Sequence, residues 1–231
     1  FISELIGTFL LILLGNGVVA NVVLKDTKGN GGGWIVITMG WAFAVFIGVT
    51  VASKSGAHLN PAVTVAMLMQ NTIAIDQLFT YISGQVFGAF LGACCVYLTY
   101  KDHYAVTEDE GAKLATFCTS PAKKNIPINL FSEIIGTFIL IFAILNIPAA
   151  TNDLGGLNPL PVALIVLSIG LSLGGTTGYA INPARDLGPR IAHVLLPMPH
   201  KGGSEWSYAW VPIVGPVVGS ILAGLVYNIL G

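Results

Sequence analysis

Apolar residues form six runs along this 231-residue chain, each long enough to cross a bilayer as a helix. A hydrocarbon core of about 30 Å needs roughly 20 apolar residues at about 1.5 Å per residue. Two shorter apolar runs, near 61–70 and 183–196, reach only about half that depth, so we predict that they are re-entrant half-helices. The six predicted spans cover residues 2–24, 34–53, 77–100, 130–150, 159–178 and 207–230.

An internal repeat relates the two halves of the chain. Residues 3–9, SELIGTF, recur as residues 132–138, SEIIGTF. Residues 55–62, SGAHLNPA, correspond to residues 177–184, TGYAINPA. Each half therefore contains three spans and one half-helix, and an odd number of spans inverts the second copy across the membrane.

These patterns predict the fold class: a single all-α membrane domain over residues 1–231, with six transmembrane helices and two re-entrant half-helices. The inverted repeats cover about 1–100 and 130–231, and a polar loop at 101–129 joins them. A helix breaker within an apolar run is tolerated where a water-lined cavity satisfies the freed backbone groups. We therefore expect one site near the membrane midplane, built from both halves.

The composition excludes several classes of function. Hydrophobic residues make up 54% of the chain and charged residues only 9%, against roughly 25% in a soluble domain. The net charge of −1 provides no basic field for nucleic acid. Cys94, Cys95 and Cys118 have no disulfide-framework or metal-site spacing. We find no arrangement typical of an enzyme and expect no metal and no cofactor.

The tripeptide Asn-Pro-Ala is the strongest local signal. It occurs as Asn60, Pro61, Ala62 and as Asn182, Pro183, Ala184. Asn is a favoured N-cap and Pro is favoured at the first helical position, so each tripeptide predicts a half-helix N-terminus. We expect the two N-termini to meet, with both amide NH₂ groups free to bind an uncharged oxygen and a positive potential that repels cations and protons.

Arg185 follows Asn182 by three residues, in the first turn of the second half-helix. A charge at membrane depth costs at least about 2.5 kcal/mol, so it normally faces a cavity. Its planar fork can donate to adjacent oxygens of a polyol. The alternative is a side chain that reaches out to the membrane interface. Asp186 is expected to support the structure near the mouth of the pore.

Three further polar residues have two interpretations each. Glu4 and Glu133 occupy equivalent places in the repeat, and they are either an acid–base pair or, as we prefer, buried carboxylates that accept backbone N–H groups from the irregular loops. His58 lies two residues before Asn60 and either lines the pore or is a structural histidine.

Two longer motifs resemble a known family. Residues 56–64, GAHLNPAVT, and 178–190, GYAINPARDLGPR, closely resemble the two signatures of the aquaporin superfamily of major intrinsic proteins. The resemblance covers essentially the whole chain. It implies one pore per subunit, a homotetramer in the lipid bilayer of the plasma membrane, and cytoplasmic termini.

Cytoplasmic termini would place the loop at 101–129 outside the cell. By the positive-inside rule alone, Lys101, Lys113, Lys123 and Lys124 would place it in the cytoplasm. We adopt the orientation that the resemblance implies.

Details within the motifs resemble the glycerol facilitator, or aquaglyceroporin, branch. Asp186 directly follows Asn-Pro-Ala-Arg, Arg190 lies four residues later, and Pro212 precedes the non-aromatic Ile213 in the last span. By the same resemblance, the narrow collar that selects solutes maps onto Trp41, Gly170, Tyr179 and Arg185.

The collar differs from that of water-selective members at Gly170, where those members usually have His. The missing imidazole implies a wider collar, with Trp41 and Tyr179 as an apolar corner opposite Arg185. Two departures stand out. An ungapped alignment places Gly40, not Trp41, in the collar, and Tyr179 replaces the more familiar Phe.

The predicted function is passive diffusion of glycerol and other small polyols, and of water, with exclusion of ions and protons. The alternatives are a channel mainly for water, or a facilitator of small hydroxy acids or dihydroxyacetone. A secondary active transporter also uses broken helices in inverted repeats. No residue pattern here resembles a Na⁺ or H⁺ relay.

Overall fold

The computed structural model describes residues 1–147 and 155–230, and within these ranges every regular element is helical. Six helices in this part of the chain are long and apolar enough to cross a membrane, which confirms the predicted all-α class. The α-helices of the described residues are α1 (Ile2–Val23), α2 (Gly33–Val51), α3 (Pro61–Met69), α4 (Leu78–Thr99), α5 (Lys101–Val106), α6 (Glu110–Ala115), α7 (Ile126–Leu145), α8 (Leu160–Ser172), α9 (Pro183–Leu195) and α10 (Val211–Leu230).

The fourth span begins earlier than predicted, at Ile126 instead of residue 130. Pro127 lies in its first turn, a position that favours Pro. Asn129 is buried, and its side-chain oxygen accepts a hydrogen bond of 2.9 Å from the backbone of Asn125. These polar residues thus belong to the helix start, although their polarity indicated a loop. Residues 148–150 of the predicted span lie outside the described residues.

The fifth span ends earlier than predicted, at Ser172 instead of residue 178. Gly174 and Gly175 follow, and glycine disfavours continuation of a helix. α8 has only 13 residues, and it reaches spanning length together with the preceding turn at Gly155–Leu157. Residues 173–182 are thereby free to fold back into the molecule before the second half-helix.

The predicted loop between the halves contains two short helices, α5 and α6, that the apolar pattern did not indicate. Asp109 caps α6, because its carboxylate accepts from the backbone of Ala112 at 2.9 Å. The Lys113 side chain is fully buried and donates to the carbonyls of Pro199 and His200. This segment is therefore packed against the segment that follows α9.

Each half-helix packs mainly against a helix from the other half of the chain. α3 of the first half packs against α10 of the second, and α9 of the second packs against α4 of the first. Ser220 donates a 2.6 Å hydrogen bond to the carbonyl of Ala62 at the start of α3. A Cβ atom at Gly188 in α9 would lie 2.7 Å from the carbonyl oxygen of Val86 in α4. Each half-helix is thus held in place by the other half.

Glycines allow the closest helix pairs, α1 with α4 and α7 with α10. A Cβ atom at Gly88 would overlap the carbonyl oxygen of Leu5, and one at Gly219 would overlap that of Ile134. Such contacts bring helix backbones together in lipid, where the hydrophobic effect does not drive helices to associate. The two positions play the same part in the two halves.

We predict that Gly88→Val and Gly219→Val each destabilise the protein by about 1–3 kcal/mol or more, because the added side chain must push backbone atoms apart. The measurement is the melting temperature and the yield of monodisperse protein in detergent. Gly17→Val is the matched control, since a Cβ at Gly17 meets nothing within 4 Å. If all three variants have the same melting temperature and yield, close helix packing is not the role of Gly88 and Gly219.

Candidate pore

The loops that precede the half-helices have the same unusual backbone in both halves. Three of the four residues before each Asn-Pro-Ala have positive φ, including residues that are not glycine. Left-handed backbone at such residues costs on the order of 1–3 kcal/mol each and persists only where the surroundings impose it. The residues with positive φ are Gly56, Ala57, Leu59, Gly178, Tyr179 and Ile181.

Glu4 imposes this conformation on the first loop. Its carboxylate accepts from the backbone of His58 at 3.0 Å and of Leu59 at 2.7 Å. The hydroxyl of Ser55 at 2.5 Å and the amide of Gln85 at 2.7 Å also donate to it. The carboxylate is completely buried, so these donors replace water around the charge.

Glu133 holds the second loop in the same way. Its carboxylate accepts from the backbone of Ala180 at 3.0 Å and of Ile181 at 2.9 Å, and from the hydroxyl of Thr177 at 2.7 Å. Both carboxylates make the contacts expected of the structural interpretation. Each satisfies backbone N–H groups that would otherwise have no partner inside the membrane.

Asn60 and Asn182 cap the two half-helices. The side-chain oxygen of Asn60 accepts from the backbone of Ala62 at 2.8 Å. The side-chain oxygen of Asn182 accepts from Ala184 at 3.0 Å and Arg185 at 3.2 Å. Both half-helices begin at the proline that follows, as the N-cap and first-position preferences predict.

The side-chain NH₂ groups of the two asparagines join the halves. Asn60 donates to the carbonyl of Ile181 at 2.8 Å, and Asn182 donates to the carbonyl of Leu59 at 2.8 Å. The expectation that both N–H bonds of each amide stay free is therefore wrong for one of them. The reason is that each opposing loop presents an unpaired carbonyl at this point. One N–H of each amide is left for a ligand.

A cavity of about 400 Å³ passes both asparagines. Its surface is largely apolar, with a few polar groups among aliphatic and aromatic side chains. The candidate site residues that line it are Trp41, His58, Asn60, Tyr179, Asn182 and Arg185.

Trp41, and not Gly40, faces this cavity. The face of the Trp41 ring lies 4.3 Å from the guanidinium carbon of Arg185, and its edge covers Gly15 of α1. A Cβ at Gly40 would instead point into the side chain of Val18. The structure thus places Trp41 beside Arg185, a cation–π arrangement, where the resemblance had placed the two on opposite sides.

Arg185 is buried but has no carboxylate partner among the described residues. Its guanidinium donates to the carbonyl of Phe117 at 3.2 Å, and the amide of Asn16 donates to the same carbonyl at 3.1 Å. Burial raises the pKa of the neighbouring Cys118 thiol, so this group stays neutral. The guanidinium of Arg185 thus lines the cavity without an ion pair to any described carboxylate, unlike that of Arg190.

Tyr179 fills the space that the missing side chain at Gly170 leaves. A Cβ at Gly170 would lie 2.9 Å from Cζ of Tyr179 and 3.0 Å from its hydroxyl. The expectation that Gly170 simply widens the collar is therefore incomplete. The aromatic ring from the second loop leans over α8 and occupies the volume that a side chain would otherwise take.

Asp186 joins the outer loop to α9. Its carboxylate forms a fully buried ion pair of 2.8 Å with Arg190, one turn along the same helix. It also accepts from the backbone and hydroxyl of Thr119 at 2.8 and 2.7 Å. The guanidinium of Arg190 donates in addition to the carbonyl of Ser204 at 2.7 Å. These contacts match the supporting role expected of Asp186.

His58 combines both of its interpretations. It lines the cavity, and its Nδ1 lies 3.2 Å from the hydroxyl of Thr64. Its ring packs against that of Tyr81, with the centroids 4.6 Å apart. The equivalent residue in the second half is Ala180, so this part of the cavity is not symmetric.

Three residues of the site were not predicted from the sequence. Gln85 donates to both Glu4 and Thr64, and its position as a lone amide in an apolar span could have indicated such a role. Phe117 acts through its backbone carbonyl, so its side chain carried no signal. Trp34 contacts the collar from α2 and lies seven residues before Trp41, which places both on one helix face.

Comparison with known proteins places the chain in a family. The family model described as major intrinsic protein matches residues 1–227. The probable glycerol uptake facilitator protein of Thermotoga maritima is 55% identical over 230 residues, which cover 99% of this chain and 97% of that protein. The glycerol uptake facilitator protein of Streptococcus pneumoniae is 52% identical over 228 residues, which cover 98% and 97%.

Two further relatives extend the range of the comparison. A Lactiplantibacillus plantarum protein named D/L-lactic acid transporter is 38% identical over 226 residues, covering 96% of this chain and 93% of that protein. The X-ray structure of the aquaglyceroporin from Plasmodium falciparum superposes with a TM-score of 0.87 at 35% identity, covering 99% and 94%. The resemblance drawn from the two Asn-Pro-Ala motifs is thus confirmed, and the chain belongs to the major intrinsic protein family.

Proposed function

We propose that this protein is a passive channel through which glycerol, other small polyols and water cross the plasma membrane, while ions and protons are excluded. The observation that carries the proposal is the meeting of two asparagine-capped half-helix N-termini at one cavity, beside the unpaired charge of Arg185. A channel of this kind catalyses no reaction, and it moves its solutes only down their gradients.

The two asparagines set the selection against charge. Each amide keeps one N–H beyond the bond to the opposite loop, so an uncharged oxygen can accept from both sides. The half-helix N-termini add partial positive charges at the same place. A water or hydroxyl held as acceptor turns its own hydrogens away, which interrupts a proton wire, and cations meet a positive potential.

The collar residues set the selection among uncharged solutes. Arg185 offers donors for hydroxyl oxygens, while the rings of Trp41 and Tyr179 offer apolar surface for a carbon chain. A polyol has both kinds of surface, so its hydroxyls can exchange water for the donors of Arg185 while its carbon chain contacts the two rings. An apolar solute would leave the donors of Arg185 without a partner, and an ion would lose its hydration. Glycerol fits this mixed lining, and two of the relatives are named for glycerol uptake.

The proposal is tested by solute flux in proteoliposomes. Stopped-flow light scattering should give glycerol permeability well above that of empty vesicles, water permeability above background, and no proton leak to a pH dye. Undissociated lactic acid belongs in the same panel, because one relative carries the name of a lactic acid transporter. Water flux without glycerol flux would replace the proposal by a water channel, and ion-driven uphill uptake would replace it by a transporter.

Removal of the Arg185 charge should weaken the selection against cations. A unit charge at about 4 Å is worth about 1 kcal/mol in water and about 4 kcal/mol at an effective dielectric constant of 20. Arg185→Ala is therefore expected to raise cation leak by about tenfold or more, and to admit larger polyols such as erythritol. Arg185→Lys is the matched control that keeps the charge and should keep cations out. Equal leak in wild type and Arg185→Ala would contradict the assigned role.

We further propose that four copies assemble, each with its own pore, and that both termini lie in the cytoplasm. The resemblance to the family supports both statements. Native mass spectrometry should give a mass of four subunits. Cysteine labelling from outside intact cells should reach an added cysteine in the segment 101–125 and not one at either end; the reverse pattern would refute the orientation.

A further inference from the structure

The buried carboxylate that holds the first loop is bonded equally at both of its oxygens. Oε1 of Glu4 accepts from the hydroxyl of Ser55 and from the backbone of His58. Oε2 accepts from the backbone of Leu59 and from the side-chain amide of Gln85. Each oxygen of this completely buried group therefore has two donors in place of water.

The carboxylate that holds the second loop has the same donors except at one place. Oε1 of Glu133 accepts from the hydroxyl of Thr177 and from the backbone of Ala180, and Oε2 accepts from the backbone of Ile181. No second donor from the described part of the chain reaches Oε2, the oxygen to which an amide donates in the first half. Glu133 is only 1% exposed, and a buried charge is costly where its hydrogen bonds are incomplete.

A proline stands where the first half has its glutamine. Gly84 of α4 and Gly215 of α10 occupy equivalent places, because a Cβ at either would approach the Cβ of the glutamate of its own half, at 3.4 Å in the first and 2.7 Å in the second. The next residue is Gln85 in α4 and Pro216 in α10. Proline has neither a backbone N–H nor a polar side chain, so α10 supplies no donor at this place.

The hydroxyl of Tyr208 lies close to this incomplete carboxylate. Tyr208 precedes α10 by three residues and is fully buried, and its hydroxyl has no hydrogen-bond partner among the residues that the structure describes. Burial raises the pKa of Tyr208, and the charge of Glu133 raises it further, so the carboxylate is near enough to act on the hydroxyl. A buried hydroxyl of this kind costs free energy unless it finds a partner.

We propose that one buried water molecule joins the two groups, accepting a hydrogen bond from the hydroxyl of Tyr208 and donating one to Oε2 of Glu133. The water takes the place that the amide of Gln85 has in the first half. A carboxylate only accepts hydrogen bonds, and water can both accept and donate, so one molecule satisfies both groups. Two polar partners are enough to hold a buried water. The site is independent of which solute passes through the pore.

Tyr208→Phe tests the proposal by the sign of its effect on stability. If the water joins the two groups, the variant removes one of its hydrogen bonds and should lower the melting temperature in detergent by about 2–4 °C, the shift for about one hydrogen bond in a chain of this size. If the hydroxyl has no partner, phenylalanine removes an unsatisfied group, and the melting temperature stays the same or rises. That result would overturn the proposal.

Tyr104→Phe is the matched reference. Tyr104 is also completely buried, and its hydroxyl has a protein partner, since it lies 2.5 Å from that of Thr116. This variant should lower the melting temperature by a similar amount. The comparison shows that the assay detects the loss of one buried tyrosine hydrogen bond.

A high-resolution crystal structure distinguishes the water from a direct contact. Electron density for one water is expected at about 2.7–3.2 Å from both Oη of Tyr208 and Oε2 of Glu133. A direct bond between Tyr208 and a protein group, or a water bound at Asp186 and not at Glu133, would overturn the site. Pro216→Gln should bring an amide to Oε2 and displace the water; a water that stays at Oε2 in this variant would overturn the equivalence with Gln85.

Discussion

The need to satisfy backbone polar groups inside the membrane governs this structure. An unpaired N–H or C=O in hydrocarbon costs several kcal/mol, and each half of the chain brings an irregular loop to that depth. Two buried carboxylates, Glu4 and Glu133, take the N–H groups of these loops, and the amides of Asn60 and Asn182 take one carbonyl each from the opposite loop. Because the asparagine bonds cross between halves, the half-helix tips cannot separate without leaving two carbonyls unpaired.

Features that depend on the length of an apolar run or on helix-capping residues could be predicted from the sequence. Six apolar runs predicted six spans, and Asn-Pro predicted both half-helix starts to the residue. The end of α8 was predicted six residues too late, because residues 173–178 carry no charge and were counted with the span, although Gly174 and Gly175 disfavour a helix there. The helices α5 and α6 were missed because they are short and polar and depend on contacts such as that of buried Lys113.

The collar shows where a pattern stops being informative. Neighbouring helix positions point about 100° apart, so a one-residue difference in spacing decided between Gly40 and Trp41, and only packing against Gly15 and Val18 resolved it. The sequence likewise shows that Gly170 has no side chain, but it does not predict which residue fills the space beside it. That depends on the loop of Tyr179 and on Trp34, which are distant from Gly170 along the chain or carried no motif.

The charges around α9 explain why only one of its two arginines can act on solutes. Arg190 is paired with Asp186, and Thr119 donates two more bonds to the same carboxylate, so this group is neutralised within the protein. The guanidinium of Arg185, one residue before Asp186, lies over the face of Trp41 and donates to the carbonyl of Phe117, and it forms no ion pair with a carboxylate of the described residues. Had Asp186 been available to Arg185, the two charges would have cancelled at the collar. The ion pair one turn further along the helix therefore keeps the net positive charge at the cavity, where it adds to the half-helix dipoles against cations.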